Sequence, residues 1–292
     1  MLTWVTDGGL ETDLLFHHGL DLPEFAAFPL VASHPEVLRS YYAAYLDVAV
    51  RTGAGLVLET PTWRANTDWA AKLGYDGPAL RQANLAAVRL VREVAASAPQ
   101  DTAIQVSGVI GPRGDGYVAA GTQADEAASY HAPQIEAFAE AGVNVVHAMT
   151  LTGPAEAIGV VRAARAAGVA VGISFTVETD GHLPDGTPLG EAIGQVDAAA
   201  APDWYGVNCA HPTHVLPALD GGPWQERIAV FRPNASTLTH EELDVMEVLD
   251  EGDRELLRTS TDELLRALPS VTTLGGCCGT DASHIAALWD QR

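Results

Sequence analysis

Lysine is almost missing from this chain: Lys72 is the one example in 292 residues, and the other cations among 16 Lys+Arg are arginines. Against them stand 38 Asp+Glu, for a formal net charge of −22. Such a field repels nucleic acid and anionic membrane, and it mildly attracts cationic small molecules. Long apolar runs are also missing; none reaches the roughly eighteen residues that cross a bilayer. The opening Met1-Leu2-Thr3-Trp4-Val5-Thr6-Asp7 has neither the basic nor the apolar stretch of an export signal. The expectation is a soluble, cytoplasmic protein with neither nucleic acid nor membrane as a partner. No G-x-x-x-x-G-K-[ST] loop and no G-x-G-x-x-G fingerprint is present, which removes the usual nucleotide signatures. H-E-x-x-H and G-x-S-x-G are absent as well, so zincin and α/β-hydrolase readings lose their main support.

Cysteine is scarce too, with three in the chain, and their placement is informative. Cys209 closes the run Gly206-Val207-Asn208-Cys209, and Cys277 and Cys278 sit inside Gly275-Gly276-Cys277-Cys278-Gly279-Thr280. An odd number speaks against a secreted disulfide framework. Neighbouring side chains in a regular strand point to opposite faces, whereas the flanking glycines allow an irregular backbone that turns both thiols to one point. Three thiolates with a fourth position open describe a catalytic zinc site. Buried free thiols, a vicinal disulfide and a redox pair are the other readings of the same residues.

Short β-rich runs recur through the chain with helical stretches between them. They are Thr3–Asp7, Gly55–Thr60, Thr102–Val109, Asn144–Met149, Ala170–Val177, Tyr205–Cys209, Ile228–Asn234 and Thr272–Cys278. Several are continuously apolar, as strands covered on both faces must be. Residues 155–167 form an amphipathic segment with Ile158 and Val161 on one side and Arg162 and Arg165 on the other. Thr239-His240-Glu241-Glu242 has capping-box spacing. Eight alternating repeats without a linker predict one domain over residues 1–292, a closed (β/α)8 TIM barrel of the α/β class. In that fold chemistry gathers at the C-terminal strand ends. Cys209 ends the sixth run and Cys277 and Cys278 the eighth, so all three thiols meet at one rim, which strengthens the metal reading.

Other residues belong to the same rim. Asp7 precedes Gly8-Gly9 and is suited to a substrate ammonium; Asn208 and Asn234 are suited to orienting a ligand. Glu59 and Glu178 end strands there, and Trp63, Tyr117 and Trp204 are aromatics that could face a cationic donor. His211 and His214 follow Cys209 closely enough to be weighed as mixed ligands, although Pro212 disrupts the geometry. His17, His18 and His147 read as ordinary surface and strand residues. A helix starting near Thr280-Asp281 could turn its N-terminal dipole toward the thiols.

Asp7-Gly8-Gly9-Leu10-Glu11-Thr12-Asp13, Gly206-Val207-Asn208-Cys209, Arg232-Pro233-Asn234 and Gly275-Gly276-Cys277-Cys278-Gly279-Thr280 occur in an order that resembles the homocysteine S-methyltransferase family. Thr60-Pro61-Thr62-Trp63-Arg64-Ala65-Asn66 and Val109-Ile110-Gly111-Pro112 add to the likeness, which covers essentially the whole chain. The resemblance implies a barrel that binds Zn2+ through Cys209, Cys277 and Cys278. It also implies a small-molecule thiol acceptor, homocysteine, whose amino group is held by Asp7. The methyl donor it implies is an onium compound such as S-methylmethionine or S-adenosylmethionine, and methionine is the product. Met149 departs from the pattern, standing where family members commonly carry a glutamate for amino-acid recognition. A thiol-binding regulatory zinc protein and a zinc hydrolase are the alternatives.

Overall fold

Three strands are buried at every residue, β2 (Gly55–Glu59), β4 (Val145–Leu151) and β5 (Val171–Phe175), as expected of strands with helices outside and partners inside. With β1 (Trp4–Val5), β3 (Ile104–Ile110), β6 (Trp204–Asn208), β7 (Ile228–Arg232) and β8 (Thr273–Leu274) they run in parallel around a closed barrel in sequence order. This computed structural model describes residues 1–290. The ring closes where Trp4 and Val5 of β1 pair with Thr273 and Leu274 of β8. Long helices cover the outside after every strand but one. After β6 the chain makes only the short helix Pro212–Val215 and two further turns, because Pro217 denies a backbone donor to a longer ladder. The helix expected over 155–167 spans Pro154–Ala167, with Val161 fully buried and Arg162 and Arg165 exposed. Among the described residues, no helix is long and apolar enough to cross a membrane.

The strand positions agree with the sequence reading, and the ends differ for identifiable reasons. β8 stops at Leu274, because Gly275 and Gly276 carry the chain out of the ladder and the cysteines occupy the turn beyond. β6 stops at Asn208, because Cys209 has a φ of 57°, which no extended strand accommodates. β4 runs past Met149 to Leu151, with its register shifting between Ala148 and Leu151 around Thr150, whose φ is 61°. Trp204 opens β6, so it lies at the N-terminal end of the barrel beside His147 and not at the rim expected for it.

The last described helix, Ala282–Trp289, begins directly after the cysteine turn, but its N-terminus is already occupied. Asp281 accepts hydrogen bonds from the Ser283 and His284 backbone N–H groups, so the dipole is answered by this carboxylate and not by the thiols. The His284 side chain foremost, with Ser283, holds the Asp281 carboxyl well below the usual range. Asp281→Ala is expected to cost about 1–2 kcal/mol, the worth of a good N-cap, read as a shift in urea midpoint. Because the folded carboxyl is the stronger acid, its contribution is complete above the unfolded value of about 3.9. It is lost as pH falls below that value, so wild type and variant should converge in acid.

Candidate metal centre

The thiols meet because two irregular turns are stitched to neighbouring strands. The Cys209 N–H donates to the Arg232 carbonyl, which fixes the left-handed turn after β6 against β7. Beyond β8, the Gly276 N–H donates to the Asp7 carbonyl and the Cys277 N–H to the Pro233 carbonyl. The Cys278 carbonyl accepts from the Ala235 N–H, and the Cys277 carbonyl from the Thr280 hydroxyl at 2.7 Å. A Cβ on Gly276 would collide with Thr280, and Gly279 has a φ of 75°; both positions require glycine. The three Sγ atoms lie within 4.8 Å of one another. Sulfurs bound tetrahedrally at about 2.3 Å from zinc stand about 3.8 Å apart. Small side-chain rotations close that difference, so the residues fit an ion.

The free thiols form one hydrogen-bonded unit. Hydrogen bonds from Cys277 and then Cys278 hold Cys209 well below the ordinary thiol range, and the Tyr117 hydroxyl, 3.1 Å from its Sγ, adds to this. The same bond to Cys209 pushes Cys277 up to about 12, and Cys278 is likewise raised. Negative charge is thus favoured on Cys209, and protons are favoured on Cys277 and Cys278. Binding an ion as three thiolates should release protons, and apparent affinity should rise with pH. Adding metal to weakly buffered protein with a pH indicator checks this; an unchanged pH would contradict three-thiolate ligation.

Around the sulfurs lies a cavity of about 350 Å³. Asp7, Asn208 and Asn234 all line it, together with Trp63, Tyr117 and Met149. Both asparagines aim their amides at sulfur: Asn208 Nδ2 is 3.7 Å from Cys277 Sγ, and Asn234 Nδ2 is 3.7 Å from Cys209 Sγ. Asn208 also grips the β4 bulge, accepting from the Thr150 N–H at 2.7 Å. The family model described as homocysteine S-methyltransferase matches residues 4–291. The chain belongs to the homocysteine S-methyltransferase family. Membership makes it a methyltransferase, in a family named for methyl transfer to the thiol of homocysteine. A curated homocysteine S-methyltransferase from Escherichia coli K12 is 26% identical over 299 residues, covering 97% of this chain and 93% of that protein. The crystal structure of the Escherichia coli homocysteine methyltransferase MmuM in its metallated form superposes with a TM-score of 0.78 at 22% identity, over 100% of this chain and 97% of that one. Its oxidized form gives 0.78 at 23% identity, over 99% and 96%.

In this member of the homocysteine S-methyltransferase family the cavity floor is charged. Arg232, at the end of β7, donates to Asp7 at 2.7 Å and to Glu59, and its second terminal nitrogen reaches the Gly8 carbonyl at 3.2 Å. Glu59 is bonded to His147, whose other nitrogen meets Ser174 at 2.7 Å. Burial pushes Asp7 up to about 6 against the pull of Arg232. Burial would raise Glu59 too, but Arg232 and His147 outweigh it and hold that carboxyl below its ordinary value. Asp7 is thus already ion-paired, with Tyr41 donating to its other oxygen. His147 is a member of this network and not an ordinary strand residue.

The remaining sequence candidates fall away from the sulfurs. Burial, and His214 nearby, push His211 down to about 4, and its Nδ1 accepts from the Thr213 N–H to cap the short helix. His214 bonds the Thr237 carbonyl, and Glu178 pairs with His240 at 2.9 Å. His17 and His18 are exposed beside Asp13. Two participants were not foreseen in these roles. Arg232 was visible only as part of a motif, and Tyr117 only as an aromatic face, whereas it is the hydroxyl that reaches the thiols. The ring stacks on His240 with centroids 4.0 Å apart, which places that hydroxyl.

Proposed function

We propose that this protein moves a methyl group from a sulfonium donor, S-methylmethionine or S-adenosylmethionine, to the thiol of homocysteine or a close analogue, and does so with zinc. The observation that carries this reading is the convergence of three thiols on the wall of a cavity sized for an amino acid. Cys209, Cys277 and Cys278 are the residues that would hold the ion. Three soft donors and an open position suit zinc better than a hard cation. The chemistry a bound zinc supplies is a lowered pKa for an acceptor thiol that otherwise titrates near 8.5.

The residues of this chain supply the rest. Asn208 and Asn234, singled out for substrate contact, act on the site through the sulfurs to which they donate. Asp7, clamped by Arg232, fixes the floor on which the acceptor rests. Met149 and Trp63 give an apolar wall, and Leu15, Phe16, Phe25 and Met246 give an apolar mouth that limits water. In the reaction a C–S bond of the sulfonium breaks as one to the acceptor sulfur forms, and the thiol proton leaves to solvent. Holding both sulfurs in line is worth roughly 7–11 kcal/mol. The acidic chain does not oppose a cationic donor. We take residues 1–292 as one cytoplasmic domain acting on small molecules. Zinc content by elemental analysis, with methionine formation across a donor screen, tests the reading; substoichiometric zinc or no methionine with any sulfonium would sink it.

A further inference from the structure

Two charged residues of the cavity wall have no task in the reading above. Glu11, on the helical turn Leu10–Thr12 after β1, and Arg64, on the loop after β2, both line the cavity. Among the described residues the Glu11 carboxylate has no side-chain partner and meets only its own backbone N–H. Arg64 lies over Trp69, its guanidinium carbon 3.6 Å from the ring centre, with Trp63 at 5.0 Å. Its single ion pair among the described residues is a long one, 3.7 Å to Asp115, and its Nε is buried with no hydrogen bond. Glu11 and Arg64 feel each other's charge, yet they do not approach within the 4.0 Å of an ion pair. The cavity therefore presents a carboxyl group without a side-chain partner, which burial raises to about 7, and an incompletely satisfied guanidinium across a gap.

A ligand bearing one charge would satisfy one of these groups and desolvate the other without compensation, which is costly. A ligand with an adjacent ammonium and carboxylate satisfies both, and guanidinium presents a planar fork that matches carboxylate geometry. We propose that Glu11 and Arg64 form a clamp for the α-ammonium and α-carboxylate of a substrate, making this enzyme selective for amino-acid zwitterions. The orientation follows from the neighbours. The turn that carries Glu11 is tied to the cysteine turn, the Gly279 N–H donating to the Thr12 hydroxyl at 3.2 Å, so the ammonium lies on the side of the sulfurs; Arg64 lies over Trp69 and Trp63, so the carboxylate faces the tryptophans. The inference deepens the methyl-transfer reading, since acceptor and donor of that reaction can both carry this head group.

Calorimetric binding to the zinc-loaded protein tests the clamp without requiring turnover. The thiol probes are homocysteine, 4-mercaptobutanoate (no ammonium) and 3-aminopropane-1-thiol (no carboxylate). The sulfonium probes are S-methylmethionine and its dimethylsulfonium analogues lacking either group. Wild type should prefer the full zwitterion by about ten- to a hundred-fold in at least one series, the worth of a charged hydrogen bond. Preference among thiols assigns the clamp to the acceptor, and preference among sulfoniums assigns it to the donor. Glu11→Gln should abolish the preference over the ammonium-free analogue alone, and Arg64→Gln the preference over the carboxylate-free analogue alone. The clamp is overturned if wild type shows no preference, if either variant keeps both preferences, or if Glu11→Gln weakens the ammonium-free sulfonium as much as the full donor. The wild-type series stands as a test even should a variant fold poorly. Absent methyl transfer with retained zwitterion preference would reject the reaction and keep the clamp.

Discussion

Cys209→Ala is expected to empty the metal centre and leave the barrel folded. The substituted residue keeps its backbone bond to the Arg232 carbonyl, and alanine meets the 57° φ with no more strain than cysteine does. What disappears is one of three ligands, together with the sulfur to which Cys277 and Cys278 are hydrogen-bonded. Outer partners of metal ligands are already worth roughly 10–100-fold in affinity, so losing a ligand should cost on the order of a hundred-fold or more. Elemental analysis after dialysis against a weak chelator should find wild type with one zinc per chain and the variant with almost none. Methyl transfer should fall with it, while the circular dichroism spectrum stays unchanged. Equal zinc in the two proteins would remove Cys209 from the ligand set.

The second large effect concerns stability. Arg232→Met keeps length and apolar bulk but leaves Asp7 and Glu59, both buried, facing each other without a cation. Breaking a buried ion pair from one side typically costs about 3–5 kcal/mol, read here from urea midpoints. The pH dependence follows from the shifts. In wild type Glu59 is held below its ordinary value, so its contribution is present above the unfolded value of about 4.3 and fades in acid. Without Arg232, burial raises both acids, and the folded state takes up protons as pH falls. The gap between wild type and variant should therefore be widest near pH 8 and narrow toward pH 5. Adding Glu59→Gln to Arg232→Met should restore part of the loss, because the two sites couple directly. A gap that ignores pH would mean that the arginine acts through packing alone.

The barrel was legible because its strands are continuous apolar runs, and all eight fall where those runs fall. Their ends were not legible, because Cys209 looks like any apolar strand residue until its φ is known. The cysteine trio could be read from the surrounding glycines, which announce irregular backbone. Arg232 could not be read. An arginine closing an apolar strand looks like a solvated rim group, and its partners Glu59 and Asp7 lie 173 and 225 positions away. Tyr117 was similarly hidden, since its place depends on a turn fixed by Asp115 and on stacking against His240. The helix dipole proposed for the thiols was misjudged because Asp281, in plain view as a cap, takes up those backbone donors first.

β1 and β8, the two staves that close the ring, are only two residues long each, whereas β3 and β4 have seven. The seams that β1 and β8 make are two residue pairs long, the shortest in the wall, and thermal opening is expected to begin at them. An ion shared between the end of β6 and the turn beyond β8 would act as a rivet beside these seams. Resistance to heat then becomes a property of the loaded protein, and metal starvation would loosen the very stave whose following turn carries two of the sulfurs.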